Sequence, residues 1–476
     1  MLTPSDDQNK AVEAFETFIN NDSQVLIITG TAGSGKTSLI KPFAKVAKLN
    51  GWRFTPLGVW SRSSAAITQV TGLIAIHIAQ YLRVNEAILE YGEEYEFESF
   101  HKYFTSLHNR IFPALGDAVR EFFRFGDDIS FKGDVLVVDE ASCLSPDELT
   151  DFTNFAINNS EEDIKIVFVG DPCQIPPVKS KNSFALNETY FEKSLGLVVE
   201  DSVELITSHR SSKGPLYELA KELRKLACDD ATGEEARRLI KSHINNEEVL
   251  GFGEVAVLNK AKEHLEKDPD EVIFLAPTNN ETLPWAKKLR NLIFVEDDEK
   301  NEIINPGERL RASFTGEEGI VLKGDEFKVL EILDSTDSFT IVKVEEIGRR
   351  QEWSFSLRAF ASSFKSLIDK NFSSLADNKQ FNLAIYTPTL ISDEKTYGGG
   401  GIKNVWEDQI NNLNNNIQVR DIVNCIYSYS STIHLSQGGE WNNVILKMDD
   451  PWEGNDTAKL WYTAVTRAKE RIYIIL

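Results

Sequence analysis

Short apolar runs separated by helical stretches set the first expectation for this chain. Residues 24–29 (QVLIIT) read as a buried strand, 30–37 (GTAGSGKT) as a glycine-rich loop and 38–49 (SLIKPFAKVAKL) as a helix. Further apolar runs stand at 135–140 (VLVVDE) and 164–171 (IKIVFVGD). β-Branched strands of this kind, alternating with helices, predict a doubly wound parallel sheet and an α/β fold class. The pattern resumes at 272–280 (VIFLAPTNN), with a helical stretch ETLPWAKKLRNLIF after it. It returns at 442–448 (NNVILKM) and 471–476 (RIYIIL), so two parallel-sheet units are expected.

Residues from about 305 to about 392 change character. GIVLKGDEFKVLEI and SFTIVKVEEI alternate apolar and polar positions, the mark of half-exposed antiparallel strands, and predict a small β-barrel inserted into the second unit. A glycine run (398–401) and an asparagine-rich run (411–416) read as loop without chemistry of their own.

Composition narrows the partners. A chain of 476 residues has room for roughly three domains, and 41% hydrophobic with 26% charged residues is ordinary for a globular protein. The formal net charge of −23 excludes a uniformly basic nucleic-acid coat, so a polyanion must be met by a local basic groove inside a repelling field. Basic clusters are modest: KSK (179–181), KKLR (287–290) and GRR (348–350), each equally a solvated face. Cys143, Cys173, Cys228 and Cys425 lie far apart with no C-x-x-C pair. Neither a disulfide framework nor a zinc knuckle is expected, and a reducing compartment fits. The polar start MLTPSDDQNK and the lack of a long apolar run lead to the expectation of a soluble, cytoplasmic protein with no membrane partner.

Gly30-x4-Gly35-Lys36-Thr37 meets the P-loop pattern, with a strand before it and a helix after it. Backbone N–H groups of Gly30, Thr31, Ala32, Gly33, Ser34 and Gly35 would face phosphate oxygens at the positive end of the following helix, with Ser38 just beyond. Lys36 would neutralise the β and γ phosphates of ATP, and the Thr37 hydroxyl would hold Mg²⁺. Asp139 and Glu140 close an apolar strand at the same sheet edge. Asp139 suits Mg²⁺ binding and Glu140 suits orienting and polarising a water, which favours hydrolysis over a kinase reaction. Gln174 follows the third strand in GDPCQIPPV, where the prolines stiffen the turn. By itself it is as much a rigid loop as a phosphate sensor.

GTAGSGKT, VVDEAS, GDPCQIPPV, STIHLSQGGEW and YTAVTRAKERIYI, in that order, resemble superfamily 1 DNA helicases of the RecD-like and Dda-like branch. The resemblance runs from Gln8 to the C-terminus. It implies two RecA-like P-loop domains with an inserted SH3-like β-barrel in the second: a first domain at 1–198, a second at 199–304 and 420–476, and the barrel with its loops at 305–419. It also implies an ATP-dependent DNA helicase moving 5′-to-3′ on single-stranded DNA in replication, recombination or repair, and engaging DNA junctions as a monomer. A DNA-stimulated ATPase working as a motor or switch in a larger complex is the alternative, and protein partners are not written in the sequence.

Residue by residue, the resemblance puts Gln8 at adenine and Gly438 and Glu440 among the nucleotide-linked positions. Arg210 and Arg467 become arginines reaching ATP from the second domain; a lone arginine would more often be an exposed ion pair. Ser61, Arg62, Ser99 and His101 fall at DNA-contacting positions, as do Thr278, Asn279, Thr432, His434, Ser436 and Gln437, which are DNA-facing or coupling. Taken alone, His101 and His434 would more often be structural. Leu435 stands where relatives commonly carry lysine. Residues 104–133, where the family often has a strand-splitting β-hairpin, read as helical. Phe104, Phe112, Phe122, Phe123, Phe125 and Phe131 are spaced more like core than wedge. An acidic stretch near 91–98 has no role in this reading.

Overall fold

In the computed structural model the described residues are 4–73, 75–79, 81–82, 132–158, 163–177, 180, 182–209, 214–245, 247–268, 271–294, 303–313, 321, 324–335, 339–347, 380–386, 421–448 and 456–476. Ser99, His101 and Arg210, the acidic stretch, nearly all of 104–133, and the glycine and asparagine runs lie outside them.

The chain divides into two units, residues 1–253 with 433–476, and residues 254–432. The first unit begins α1 (Asp6–Phe18), β1 (Val25–Gly30), α2 (Ile40–Leu49), β2 (Arg53–Gly58), α3 (Ser61–Thr71), β3 (Ile76–His77) and β4 (Gly133–Asp139). It continues with α4 (Pro146–Asn158), β5 (Asp163–Gly170), β6 (Val203–Leu205), α5 (Pro215–Cys228), α6 (Gly233–Ser242) and β7 (Val249–Phe252). The second unit carries α7 (Glu254–Leu265), β8 (Val272–Ala276), α8 (Asn279–Ile293), β9 (Arg309–Ala312), β10 (Glu326–Ser335), β11 (Phe339–Glu346), β12 (Gln380–Tyr386), β13 (Asp421–Val423), β14 (Cys425–Tyr427) and β15 (Ser430–Thr432). The first unit then resumes with β16 (Trp441–Lys447), α9 (Ala458–Val465) and β17 (Ala468–Ile475).

The first three predicted strands form as read. Strands β1 to β6 make one parallel sheet in the order β3-β2-β4-β5-β1-β6. Gly58 pairs with Asp139 and Thr29 with Gly170, so the ends of β2, β4, β1 and β5 come out along one edge. Chemistry in open α/β sheets collects at the carboxyl ends of strands. One face of the sheet is sealed by Phe15 and Phe18 of α1 and Phe43 of α2, all fully buried with Ile28, Val137 and Val169. Phe15 stacks on Phe43 with centroids 4.3 Å apart. Ser5 starts α1 with a capping box: its hydroxyl accepts from Gln8 N, and Gln8 Oε1 accepts from Ser5 N. That local device fixes the angle at which Gln8 leaves the helix. Three further strands of this unit run parallel in the order β16-β17-β7.

In the second unit β8 and β15 pair in parallel, and Trp285 of α8 stacks on Phe274 at 4.5 Å. The alternating runs form antiparallel strands as predicted. The sheet has the order β13-β12-β11-β10-β9-β14, antiparallel throughout except β12 with β13. Inside this unit Arg290 and Glu308 form a buried ion pair, with the Arg290 guanidinium 4.9 Å over the Tyr427 ring.

Candidate active site

The P-loop leaves β1 at Gly30 and turns through Thr37–Leu39, a single 3₁₀ turn, into α2. Gly33 (φ 76°) and Gly35 (φ 79°) are both left-handed, which costs glycine nothing. At Gly35 the choice is doubly forced, because a Cβ there would meet Gln8 Nε2 at 2.4 Å. Gln8 is buried against the loop, its Nε2 donating to Ser34 O at 3.2 Å. His209, which sequence reasoning passed over, donates its N–H to Gly33 O at 2.8 Å. Lys36 is buried, and its Nζ donates to Gly30 O and Thr31 O at 2.9 Å each, curled back into its own loop. The Ser38 hydroxyl donates to Gly35 O at 2.6 Å.

The Thr37 hydroxyl donates to Asp139 Oδ2 at 2.7 Å, joining the loop to the end of β4. Two hard oxygen donors so close suit a Mg²⁺ site. Glu140 follows at φ 57°, a left-handed conformation that a side chain rarely adopts. Burial and the neighbouring Asp139 charge push its carboxyl up, with Arg467 and Lys36 opposing. Burial also raises Asp139, against the Thr37 bond and the Lys36 charge. Glu140 Oε2 and Gln174 Oε1 are buried and make no hydrogen bond within the protein. Two orphaned acceptors beside the lysine-bearing loop fit hydrogen-bond donors such as water, and the Thr37–Asp139 pair fits the cation of a nucleoside triphosphate.

The loop after β5 is tied to the final motif. Tyr462 of α9 donates its hydroxyl proton to Asp171 Oδ2 at 2.8 Å and accepts from Ala32 N of the P-loop at 3.2 Å. Burial and the Asp171 carboxylate hold the Tyr462 phenol well above its usual range. Ile175 N donates to Thr463 Oγ1 at 2.8 Å, and Gln437 Nε2 donates to Ile175 O at 2.9 Å. Arg467 is buried; its guanidinium donates to Thr463 O, Gly439 O and Thr466 Oγ1 at 3.1–3.2 Å, and its charge acts on Glu140. Asp171, Tyr462 and Thr463 lay inside the quoted motifs GDPCQIPPV and YTAVTRAK. An aspartate closing an apolar strand, as Asp139 does, was the available signal for Asp171.

One expectation is corrected. Cys173 and Cys228 form a disulfide across 55 residues, whereas their spacing suggested none. The exit of β5 and the end of α5 meet through the sheet topology, which spacing does not encode. Cys143 and Cys425 are buried, and burial with Glu140 pushes the Cys143 thiol up to about 12.

Of the positions the resemblance assigned to DNA, Ser61 is buried at the start of α3. Arg62 donates to Leu435 O at 3.1 Å and lies 4.9 Å over the Trp441 ring. Ser436 is buried with its hydroxyl on Ile433 O, and His434 is half-buried, its imidazole held below the usual range by burial. Gly438 packs on Ser63, and exposed Glu440 lies 4.0 Å from Lys469. In the second unit Thr278 precedes α8, Asn279 opens it, and Thr432 ends β15. Among the described residues no helix is long and apolar enough to cross a membrane.

This combination defines a parallel-sheet P-loop protein with a paired-carboxylate strand end and a proline-bearing loop after the next strand. Residues 3–240 match the AAA domain family and residues 427–475 the UvrD-like helicase C-terminal domain. The RecBCD enzyme subunit RecD of Buchnera aphidicola is 24% identical over 96% of this chain and 71% of its own length. An uncharacterized Methanocaldococcus jannaschii protein is 23% identical over 98% of this chain, which spans only 37% of that protein. The Pif1 helicases of Bacteroides, solved with ADP-AlF3 and single-stranded DNA, and of Candida albicans share the fold. Their TM-scores are 0.50 and 0.51 at 14% and 13% identity, with all of this chain and 92% and 94% of theirs covered. The chain belongs to the AAA domain family, carries a UvrD-like helicase C-terminal domain, and is a superfamily 1 helicase of the RecD-like branch.

Proposed function

We propose that the protein is an ATP-driven helicase that moves 5′-to-3′ on single-stranded DNA and opens duplexes at junctions in replication, recombination or repair. Two RecA-like domains, 1–198 and 199–304 with 420–476, make the motor. Strands β9 to β12, within 305–419, belong to its SH3-like barrel. The observation that carries the reading is the hydrogen-bonded path from the P-loop through Tyr462 to Asp171, and from Ile175 to Thr463 and Gln437. A plain phosphatase or kinase has no use for a sensor loop bonded to two further motifs.

In this reading Gln8 and His209 flank the adenosine side of the loop. Lys36 exchanges its carbonyl partners for phosphate oxygens. Thr37 and Asp139 would hold Mg²⁺, which would supply charge neutralisation at the phosphates. Glu140, with its raised carboxyl, orients the attacking water and takes its proton. Gln174 meets the γ-phosphate, and Arg210 and Arg467 stabilise the charge that builds on it. Ser61, Arg62, Ser99, His101, Thr278, Asn279, Thr432, His434 and Ser436 serve as DNA-contacting positions, while Gln437, bonded to Ile175 O, couples to the loop after β5. The protein acts as a monomer.

The test is ATPase with and without single-stranded DNA, followed by unwinding of duplexes carrying either a 5′ or a 3′ tail. Stimulated hydrolysis with opening of the 5′-tailed duplex alone is expected. Opening of the 3′-tailed duplex would reverse the polarity, and stimulation without opening of either would reduce the protein to a translocating or switching ATPase.

A further inference from the structure

Hydrolysis by these residues gives the Cys173–Cys228 bond no part, yet the bond lies inside the machinery. Cys173 is buried between Asp171 and Gln174, and its own N–H donates to Asp171 Oδ1 at 3.1 Å. Cys228 is the last residue of α5, is exposed, and borders a pocket of about 500 Å³ beside the P-loop. Lys221, Lys225 and Lys469 border the same pocket, whose lining holds one acid, Asp229; Glu218 and Glu440 lie 4.0 Å from Lys221 and Lys469, and Arg224 is paired with Glu204 at 3.0 Å. A small acidic thiol can therefore reach the Cys228 sulfur, and the buried Cys173 sulfur is the one it releases.

The loop 171–175 otherwise hangs on exchangeable contacts: hydrogen bonds of Asp171 with Tyr462 and of Ile175 with Thr463 and Gln437, and an ion pair of Asp171 with Arg224 of α5 at 3.9 Å. Hydrogen bonds exchange during a catalytic cycle, whereas a covalent bond one residue from Gln174 does not. We infer that Cys173–Cys228 is a reversible modification site, exchanged by acidic low-molecular-weight thiols and their disulfides, whose oxidised state pins the Asp171–Ile175 loop to α5. In reduction a thiolate attacks Cys228 Sγ, the Sγ–Sγ bond breaks, and Cys173 leaves with the electron pair and takes a proton. A second thiolate attacks the added sulfur, freeing Cys228 as a thiol and leaving the external disulfide. Two external thiols are thus oxidised as one protein disulfide is reduced, and oxidation by the external disulfide is the reverse.

The link to turnover rests on the ATPase reading; the thiol site does not. The full chain is equilibrated in glutathione buffers of varied ratio, its redox state is fixed by peptide mass, and amide hydrogen exchange is read across 171–175. Exchange in the oxidised protein is expected to be roughly tenfold slower, as for a loop denied local opening. DNA-stimulated ATPase in that state should be lower by about fivefold or more, as when a gating motion is blocked. Cys228→Ser, outside the catalytic residues, should be indifferent to the glutathione ratio and match the reduced protein in both readouts. Failure of the pair to form at any ratio, equal exchange in two verified redox states, or continued glutathione dependence of Cys228→Ser would each overturn the inference. Absence of ATPase in every sample beside a clear exchange contrast would remove the motor reading and retain the thiol site.

Discussion

Glu140 concentrates the tension of the site in one residue. It is half-buried, left-handed at φ 57°, follows Asp139 directly, and keeps one buried carboxylate oxygen without a hydrogen bond in the protein. A carboxyl raised in the folded state binds more protons folded than unfolded between its two titration points. Its contribution is therefore full below the unfolded value, roughly 4.3, and is lost as pH rises through the folded value. Glu140→Gln removes that loss. Its Tm should exceed the parent's at neutral pH and converge with it toward about pH 4, while kcat falls by about 10²–10⁴ and nucleotide still binds. Thermal melts across pH, with single-turnover ATPase and fluorescent nucleotide titration, check both halves. A turnover rate left intact would show that another group handles the water. Arg467 tests the opposite charge. It already spends its donors on Thr463, Thr466 and Gly439, so Arg467→Ala should cost some stability. The decisive readout is kcat, expected to drop by about 10³ with single-stranded DNA binding retained. Equal losses of DNA binding and turnover would point to misfolding or a DNA contact.

At the scale of elements, what could be read from the chain followed the range of the forces involved. The strands carrying Gly30, Asp139 and Asp171 were legible because each is a local apolar run ending in a polar residue. The antiparallel strands β10 and β11 were legible because alternation is local too. Contacts between distant segments were not: Tyr462 with Asp171, Arg62 with Trp441, and Cys173 with Cys228 are 291, 379 and 55 residues apart and depend on sheet order. The Arg290–Glu308 pair joins α8 to the turn before β9 in the same way. Glu308 is fully buried, with burial raising its carboxyl and Arg290 lowering it, and its second oxygen accepts from Asn305 N at 2.7 Å. Glu308→Ala strands a buried guanidinium and should destabilise the protein by about 3–5 kcal/mol in urea unfolding. Replacing Arg290 by Met as well should recover most of that loss. A double variant as unstable as Glu308→Ala would mean the cost is packing rather than unpaired charge.

On the proposed function, the whole molecule must hold a polyanion despite a net charge of −23. Local cations decide whether it can, and the structure trims the count that the sequence offers. In the KKLR cluster, Lys288 is paired with Glu254 at 2.5 Å and Arg290 is buried on Glu308. Arg62 bonds Leu435 O and stacks on Trp441. Hydroxyls and amides then carry much of the strand contact, and they displace few counterions. Each phosphate neutralised on a single strand contributes about 0.7 to the slope of log K against log[salt], so three to five contacts give a slope of roughly −2 to −3.5. Long-range repulsion from the acidic surface should add to weakening at low ionic strength, where the Debye length is about 30 Å at 0.01 M, and fade above about 0.1 M. Affinity for a short oligothymidylate, followed by fluorescence anisotropy from low to high salt, should therefore rise or level at the dilute end before falling with that shallow slope. A straight line near −10 from the lowest salt upward would require a broad basic face and would refute the picture of a narrow groove in a repelling field.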